Sequence, residues 1–331
     1  MIFGKDMPKW NKELNKLQRL SRKELEEKIK KADELLSVCN LCPRKCKVRR
    51  LEGEKGYCKA GKNIEIASYH LHYGEEPPIS GRFGSGTIFF SNCSLRCVFC
   101  QNYPLSQMGE GRKVSIEELS EIMLELQEKK AHNINFVTPT HYMPQILKAL
   151  LMAKEKGLGI PLVYNCSGYE SVATLELLDG IIDIYMPDFK YAGSEPAKKY
   201  SGAGDYAEVA LKAIKEMFRQ VGDLKVKDGI AEQGILIRHL VLPDDLAGSK
   251  KVFELIRDNI SPKATVNIMA QYYPTHKACE FPELSRQISI KEYNKAVNDA
   301  KAAGLTGGFK QVMETLVRNK IPEWKDGLKD N

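Results

Sequence analysis

The chain has 331 residues, 43% hydrophobic and 28% charged, a composition ordinary for a soluble globular protein and long enough for one large α/β domain with appendages or for two domains. Its net charge of +7 is concentrated at one end, since residues 1–60 hold 17 Lys+Arg against 9 Asp+Glu and the remainder is close to neutral. No apolar run reaches the length of a membrane span, and no helix-turn-helix, zinc-finger helix or aromatic platform accompanies the basic residues, so neither a membrane nor nucleic acid is expected as a partner.

The basic end reads either as a solvated, Lys-rich surface or as a docking face for an acidic partner such as an electron-donor protein. The first residues hold no long apolar stretch of the kind a secretory leader needs, so a reducing, cytoplasmic setting is expected. In that setting nine clustered cysteines point to metal binding rather than to disulfides.

In chain order, residues 11–38 read as a helix, with Ser21 and Glu24 forming a capping box and Leu25, Ile29, Leu35 and Leu36 supplying apolar positions. A cysteine-rich stretch, 39–58, follows. Residues 64–90 look extended, with Gly and Pro breaks in GEEPPISGRFGSG, and TIFFS (87–91) reads as a buried strand. Ser115 and Glu118 form a second capping box opening a helix to about residue 130. Strands are then expected at 133–138, 161–165, 182–188, 234–242 and 265–271. Helices separate them at 143–156, 170–178, 205–221 and 247–259, and a last one is expected near 290–303.

Strands alternating with amphipathic helices give right-handed βαβ units and a parallel sheet. Six strands fall short of a closed eight-stranded barrel, so the expected fold is α/β: a partial (β/α)6 TIM-type barrel with an N-terminal helical and cysteine-rich extension. The chain divides into a helical segment (1–38), a four-cysteine metal-binding module (39–78), the partial barrel (79–275) and a C-terminal helical extension (276–331). Sites on parallel sheets gather at the C-terminal ends of the strands, and the loops holding Cys93, TPTH, NCSG, PDFK and LPDD all follow predicted strands.

The spacing Cys93-x3-Cys97-x2-Cys100 is the strongest signal. A complete [4Fe–4S] site takes four thiolates, so three from one loop leave an iron without a protein ligand, and an open position marks a reactive centre. Spacing alone also admits a zinc site that borrows a fourth ligand. Upstream, Cys39-x2-Cys42-x3-Cys46-x11-Cys58 supplies four soft ligands with turn-formers between them, a complete second site for zinc or an auxiliary iron–sulfur cluster. Cys166 reads as a small buried residue and Cys279 as a free thiol. GSG (84–86) lacks the Lys-Ser/Thr and helix start of a phosphate loop.

The loop CSLRCVFC resembles the signature of the radical S-adenosylmethionine (SAM) enzymes, and GTIFFSNCSLRCVFCQNYPLSQ resembles more narrowly the pyruvate formate-lyase activating enzyme-like branch. The likeness spans roughly residues 80–275. It implies that SAM chelates the open iron, that one electron from the reduced [4Fe–4S] cluster cleaves it to methionine and a 5′-deoxyadenosyl radical, and that this radical abstracts a hydrogen atom. It implies oxidoreductase-type, oxygen-sensitive chemistry, a flavodoxin or ferredoxin-type reductant, and a glycyl-radical enzyme as the activated partner. Radical chemistry on a small-molecule metabolite is one alternative, and a non-catalytic iron–sulfur electron carrier is another.

The same resemblance assigns residues to roles. Phe99 matches the position that packs near adenine. The family's Gly-Gly-Glu segment is replaced here by NFVTPTHY, so Thr138, Thr140 and His141 are expected to face the cofactor, with Pro139 holding the loop extended. Asn165 and Ser167 sit where the ribose is contacted. Asp188 and Lys190 match an Asp-x-Lys pair facing the active site. Arg238, alone in an apolar strand, needs an anionic partner: the cofactor carboxylate, or a buried Asp or Glu.

Overall fold

The computed structural model describes residues 15–310. The ends of the predicted N-terminal helical segment (1–14) and C-terminal extension (311–331) lie outside the described residues. Among the described residues there are ten strands: β1 Ile64–His72, β2 Ser85–Phe90, β3 Arg112–Val114, β4 Ile134–Val137, β5 Leu162–Cys166, β6 Ile184–Pro187, β7 Lys225–Lys227, β8 Ile230–Leu240, β9 Thr265–Met269 and β10 Gly307–Lys310. The sheet runs β10-β9-β8-β6-β5-β4-β2-β1-β3, with β7 paired to β8. Strands β2, β4, β5, β6, β8 and β9, the six predicted, are mutually parallel in this open sheet.

Among the described residues eleven α-helices accompany the strands: α1 Lys16–Arg19, α2 Arg22–Ser37, α3 Pro77–Ser80, α4 Tyr103–Ser106, α5 Ile116–Glu128, α6 Met143–Glu155, α7 Val172–Leu177, α8 Ser194–Ser201, α9 Tyr206–Val221, α10 Ser249–Asn259 and α11 Ile290–Ala302. Three local features depart from the sequence reading. The first predicted helix is two, because Ser21 caps a new one: its hydroxyl accepts from the Glu24 amide and the Glu24 carboxylate accepts from the Ser21 amide. The box at Ser115 is half formed, since the Glu118 carboxylate pairs with Arg112. The C-terminal region is not purely helical, because β10 adds a seventh parallel strand beside β9.

The two faces of the sheet have different chemistry. Ile134, Phe136, Leu162, Tyr164, Ile235, Ile237, Val266 and Ile268 pack outward in the main core beneath the helices. The residues alternating with them point to the concave side. There Val163, Ile184, Met186 and Leu236 close around Ile79 of α3 in a separate apolar cluster. Residues 64–80, grouped by sequence with the cysteine module, therefore belong to the barrel: β1 lies antiparallel on β2 and α3 plugs the foot of the lumen.

Candidate functional site

The three-cysteine loop leaves the C-terminal end of β2 and is fixed on several sides. The Arg96 and Val98 amides donate to the Ser201 and Tyr200 carbonyls at the end of α8. The Gln107 side chain donates to the Cys97 carbonyl at 2.8 Å, and Arg96 Nη1 to the Cys93 carbonyl at 3.0 Å. Ser201 Oγ donates to Cys97 Sγ at 3.0 Å, and Cys100 Sγ lies 3.3 Å from Ser106 Oγ. Burial pushes the Cys93 and Cys100 thiols up to about 12 and about 11, and neighbouring thiols of the loop add to the shift. A thiol in that setting becomes a thiolate only against a compensating cation, which is what a metal centre provides. The donor set fits an iron–sulfur cluster: three thiols in one anchored loop, each already within the electrostatic reach of another.

Beside this loop, at the ends of β6 and β8, lies a buried ionic network. Arg238 Nε donates to Asp188 Oδ1 at 2.9 Å, and Lys190 Nζ donates to Asp188 Oδ2 at 2.5 Å. Burial opposes ionisation of Asp188, yet Arg238 and Lys190 hold its carboxyl below the usual range. Burial likewise opposes the charge on Lys190 and Arg238, but Asp188 holds both above their ordinary values. Arg238 Nη2 also donates to Asn165 Oδ1 at 2.7 Å, and Nη1 lies 3.6 Å from Glu75 Oε2. Buried acids, one of the two kinds of partner expected for Arg238, thus lie against it.

Backbone chemistry sets this geometry. Gly168 has φ +75°, and a Cβ there would fall 2.1 Å from the Asp188 carbonyl oxygen. Only glycine lets the loop after β5 close on the end of β6. The buried Tyr206 hydroxyl, from α9, lies within donating distance of the Ser167 and Asp188 carbonyls (2.8 and 2.9 Å) and accepts from the Lys190 amide at 2.9 Å. Ser167 Oγ accepts from the Tyr169 amide at 3.3 Å.

The segment after β4 departs from expectation. Pro139 is helical (φ −83°, ψ −14°) and opens a short 3-10 turn rather than an extended loop. Thr138 carries the turn at φ +58°, a conformation that a β-branched residue adopts only under strain. The Thr140 hydroxyl donates to Glu170 at 2.8 Å, and His141 Nε2 lies 2.7 Å from the Ser91 carbonyl. Burial pushes His141 down to about 3, so its ring is neutral, and burial pushes Glu170 up to about 8. Thr140 and His141 Nε2 thus have partners within the protein, while His141 Nδ1 is buried without a hydrogen-bond partner. Phe99 sits edge-on to Tyr191 and Tyr272 in the core.

The upstream cysteines pack against the same loop. Tyr57, next to Cys58, has the guanidinium of Arg44 4.0 Å from its ring centre and that of Arg96 at 4.8 Å. Arg44 donates to the Ser94 and Gly202 carbonyls at 2.9 and 2.7 Å. Burial pushes the Cys42 thiol up to about 12, with Cys58 and Cys39 contributing, and Cys58 in turn feels Cys39 and Cys46. Arg50 is fully buried, donates to the Gly61 and His141 carbonyls, and lowers the cost of charge on Cys58. No group of three His, Cys, Asp or Glu side chains among the described residues closes around a single ion.

Sequence reasoning missed the foot of the lumen. Glu75 Oε1 accepts from Asn135 at 3.1 Å and Asn165 at 3.3 Å, and Glu76 Oε1 accepts from Asn267 at 2.7 Å. Burial, then the Glu76 charge, pushes Glu75 up to about 7. The available signal was a tandem pair of acids before two prolines, just ahead of the cysteine strand.

An open parallel α/β sheet with a three-thiol loop at its C-terminal rim defines the class. A profile described as the Radical SAM superfamily matches residues 87–231. The uncharacterized protein MJ0674 of Methanocaldococcus jannaschii is 31% identical over 305 residues, covering 89% of this chain and 83% of that protein. The pyruvate formate-lyase-activating enzyme of Clostridium pasteurianum is 22% identical, covering 69% of this chain and 90% of that enzyme. Among solved structures, Streptococcus suis SuiB bound to S-adenosylmethionine aligns with TM-score 0.45 and 11% identity over 66% of this chain, which spans about half (48%) of that chain's length. This chain belongs to the radical SAM superfamily, a family of [4Fe–4S]- and SAM-dependent enzymes.

Proposed function

We propose that this radical SAM enzyme abstracts a hydrogen atom from a backbone glycine of a partner protein, as the activase of a glycyl-radical enzyme, with a flavodoxin or ferredoxin-type reductant in the cytoplasm. The observation that carries the radical step is the anchored loop that brings Cys93, Cys97 and Cys100 together, with burial raising the Cys93 and Cys100 thiols. The activase assignment is supported by the likeness to the Clostridium enzyme along 90% of its length and by the basic character of residues 1–60, suited to an acidic partner.

When bound, a [4Fe–4S] cluster with one iron free of protein ligands supplies the electron that cleaves SAM to a carbon radical. The protein's own residues do the rest. Cys93, Cys97 and Cys100 would each hold one iron. Lys190, kept charged by Asp188, offers a cation to the cofactor carboxylate; Arg238 holds Asp188 and Asn165 in place for that task. Asn165 and Ser167 would serve the ribose hydroxyls, Phe99 the adenine side, and Thr138 would present its backbone at the rim. The side-chain bonds of Thr140 and His141 support a positioning role for that turn rather than direct contact.

Cys39, Cys42, Cys46 and Cys58 would hold a second centre, zinc or an auxiliary cluster. The buried Arg50, which has no carboxylate partner among the described residues, supports a net anionic site beside Cys58.

The test is 5′-deoxyadenosine release by the anaerobically reconstituted, dithionite-reduced protein, with Cys93→Ala, Cys97→Ala and Cys100→Ala together as control, followed by electron paramagnetic resonance of an added glycyl-radical enzyme. Release lost in the control, with a glycine-centred radical on the partner, is expected. Release without any such radical refutes the activase role and leaves the superfamily chemistry. Metal analysis of the same triple variant reads the second site: about four residual irons per chain for a cluster, or zinc alone.

A further inference from the structure

The polar layer at the foot of the lumen has unspent capacity. Asp188 is matched by Arg238 and Lys190. Glu75 receives two amide donors and has only the 3.6 Å approach of Arg238 as an ion pair. Glu76 takes a hydrogen bond from Asn267 alone and its Oε2 is buried with no hydrogen-bond partner, although its charge is felt by Arg238. The layer thus sets three carboxylates against two cations.

The amides sharpen the imbalance. Asn135 and Asn267 spend their NH2 groups on Glu75 and Glu76, which fixes the amide orientation. Each Oδ1 is left buried and unpartnered, on side chains 0% and 3% exposed. Both residues alternate with outward-packed neighbours, Ile134 and Phe136 or Val266 and Ile268, so both face the lumen. The unpartnered atoms of this layer are therefore all acceptors: Glu76 Oε2, Asn135 Oδ1 and Asn267 Oδ1. Leaving a buried acceptor unsatisfied costs about 1–3 kcal/mol each. A proton on Glu75 would relieve charge, but it brings no donor to the other three atoms. A ligand that is both cationic and rich in N–H groups supplies both.

We propose that Glu75, Glu76, Asn135 and Asn267 form a recognition subsite for a cationic nitrogen group, an ammonium or guanidinium, carried by the substrate. That the ligand is the substrate rests on the radical SAM reading above; the cation site itself does not. Glu76, Asn135 and Asn267 are the part of the layer with no hydrogen bond to the rim network, whereas Glu75 joins it through Asn165 and Arg238, so the titration with and without SAM decides whether the two ligands share the site.

The experiment is calorimetric titration of the anaerobically reconstituted full-length protein with n-butylammonium and n-butylguanidinium, with n-butanol as the neutral isostere, before and after saturation with SAM. Saturable binding of at least one cation is expected, retained with SAM present and at least about tenfold tighter than butanol, or about 1.4 kcal/mol. The isosteric Glu76→Gln should weaken the cation by about tenfold more than it weakens SAM, a change worth the same 1.4 kcal/mol. Asn267→Asp, which adds a carboxylate beside Glu76, should tighten the cation; if Glu76→Gln fails to fold, this variant and the wild-type comparison decide. Nα-acetyl-lysine methylamide in place of butylammonium separates a protein-borne side chain from a free amine by which binds more tightly.

Equal binding of butanol and cations, no saturable cation binding, or loss of cation binding on SAM saturation each overturns the subsite; the last would give the layer to the cofactor's own ammonium. If the cation binds while 5′-deoxyadenosine release fails, the functional reading falls and the subsite stands. If release succeeds and no cation binds, only the subsite falls.

Discussion

Gly168→Ala isolates what the closure of the β5 loop on β6 contributes. Two costs are expected. Forcing an L-residue into the left-handed region costs about 1–2 kcal/mol. The new methyl would also stand 2.1 Å from the Asp188 carbonyl and 3.1 Å from the Tyr206 hydroxyl, so the loop must retreat by roughly 1 Å, an overpacking cost of about 1–3 kcal/mol. The sum is about 2–5 kcal/mol. With an unfolding entropy near 2.1 cal/mol/K per residue, a chain of 331 residues should lose about 3–7 °C in Tm. Gly157→Ala is the internal control: φ is +95°, but a Cβ there meets nothing within 4 Å, so only the conformational cost of about 1–2 kcal/mol applies, roughly 1.5–3 °C. Scanning calorimetry of both variants, with SAM titrations, checks the pair. If Gly168→Ala melts no lower than Gly157→Ala and binds SAM as the wild type does, the close approach does not hold Asp188 and Lys190 in place and the reasoning fails.

Two further outcomes are expected. Tyr206→Phe removes the hydroxyl shared by the Ser167 and Asp188 carbonyls and the Lys190 amide, all part-buried, and should cost about 2–4 kcal/mol in urea unfolding while weakening SAM binding; an unchanged midpoint would mean water replaces the hydroxyl. Glu170→Gln tests a proton. The folded carboxyl is pushed from 4.5 up to about 8, so its contribution to stability is full below the unfolded value and is lost as pH rises through 8. The neutral amide escapes that loss, so the variant's Tm advantage should widen between about pH 5 and pH 8; a constant gap would show that Glu170 stays ionised.

The alternation of strands and helices was legible because the central strands are rich in buried apolar residues and several helices open on a capping serine. β10 was not, since two of its four residues are glycine and it reads as a turn. The thiol loop and the Asp188–Lys190–Arg238 set could be read from spacing and from a charge stranded in an apolar strand. Thr140 and His141 could not be oriented, because a residue just past a strand end can turn either way and Pro139 permits both outcomes. Glu75 and Glu76 were hidden for the opposite reason. Acids beside glycine and proline look like a solvated loop until the curl of the sheet is known. Two consecutive side chains then reach Asn135 on β4 and Asn267 on β9, four ladder steps apart.

The foot of the lumen comes from a single connector, residues 75–80, between β1 and β2, while the reactive loop hangs from the far end of β2. One short connector therefore contributes both the apolar plug and two of the buried acids, while the amides that meet those acids come from distant strands, so a change in the connector is felt across the sheet from β4 to β9.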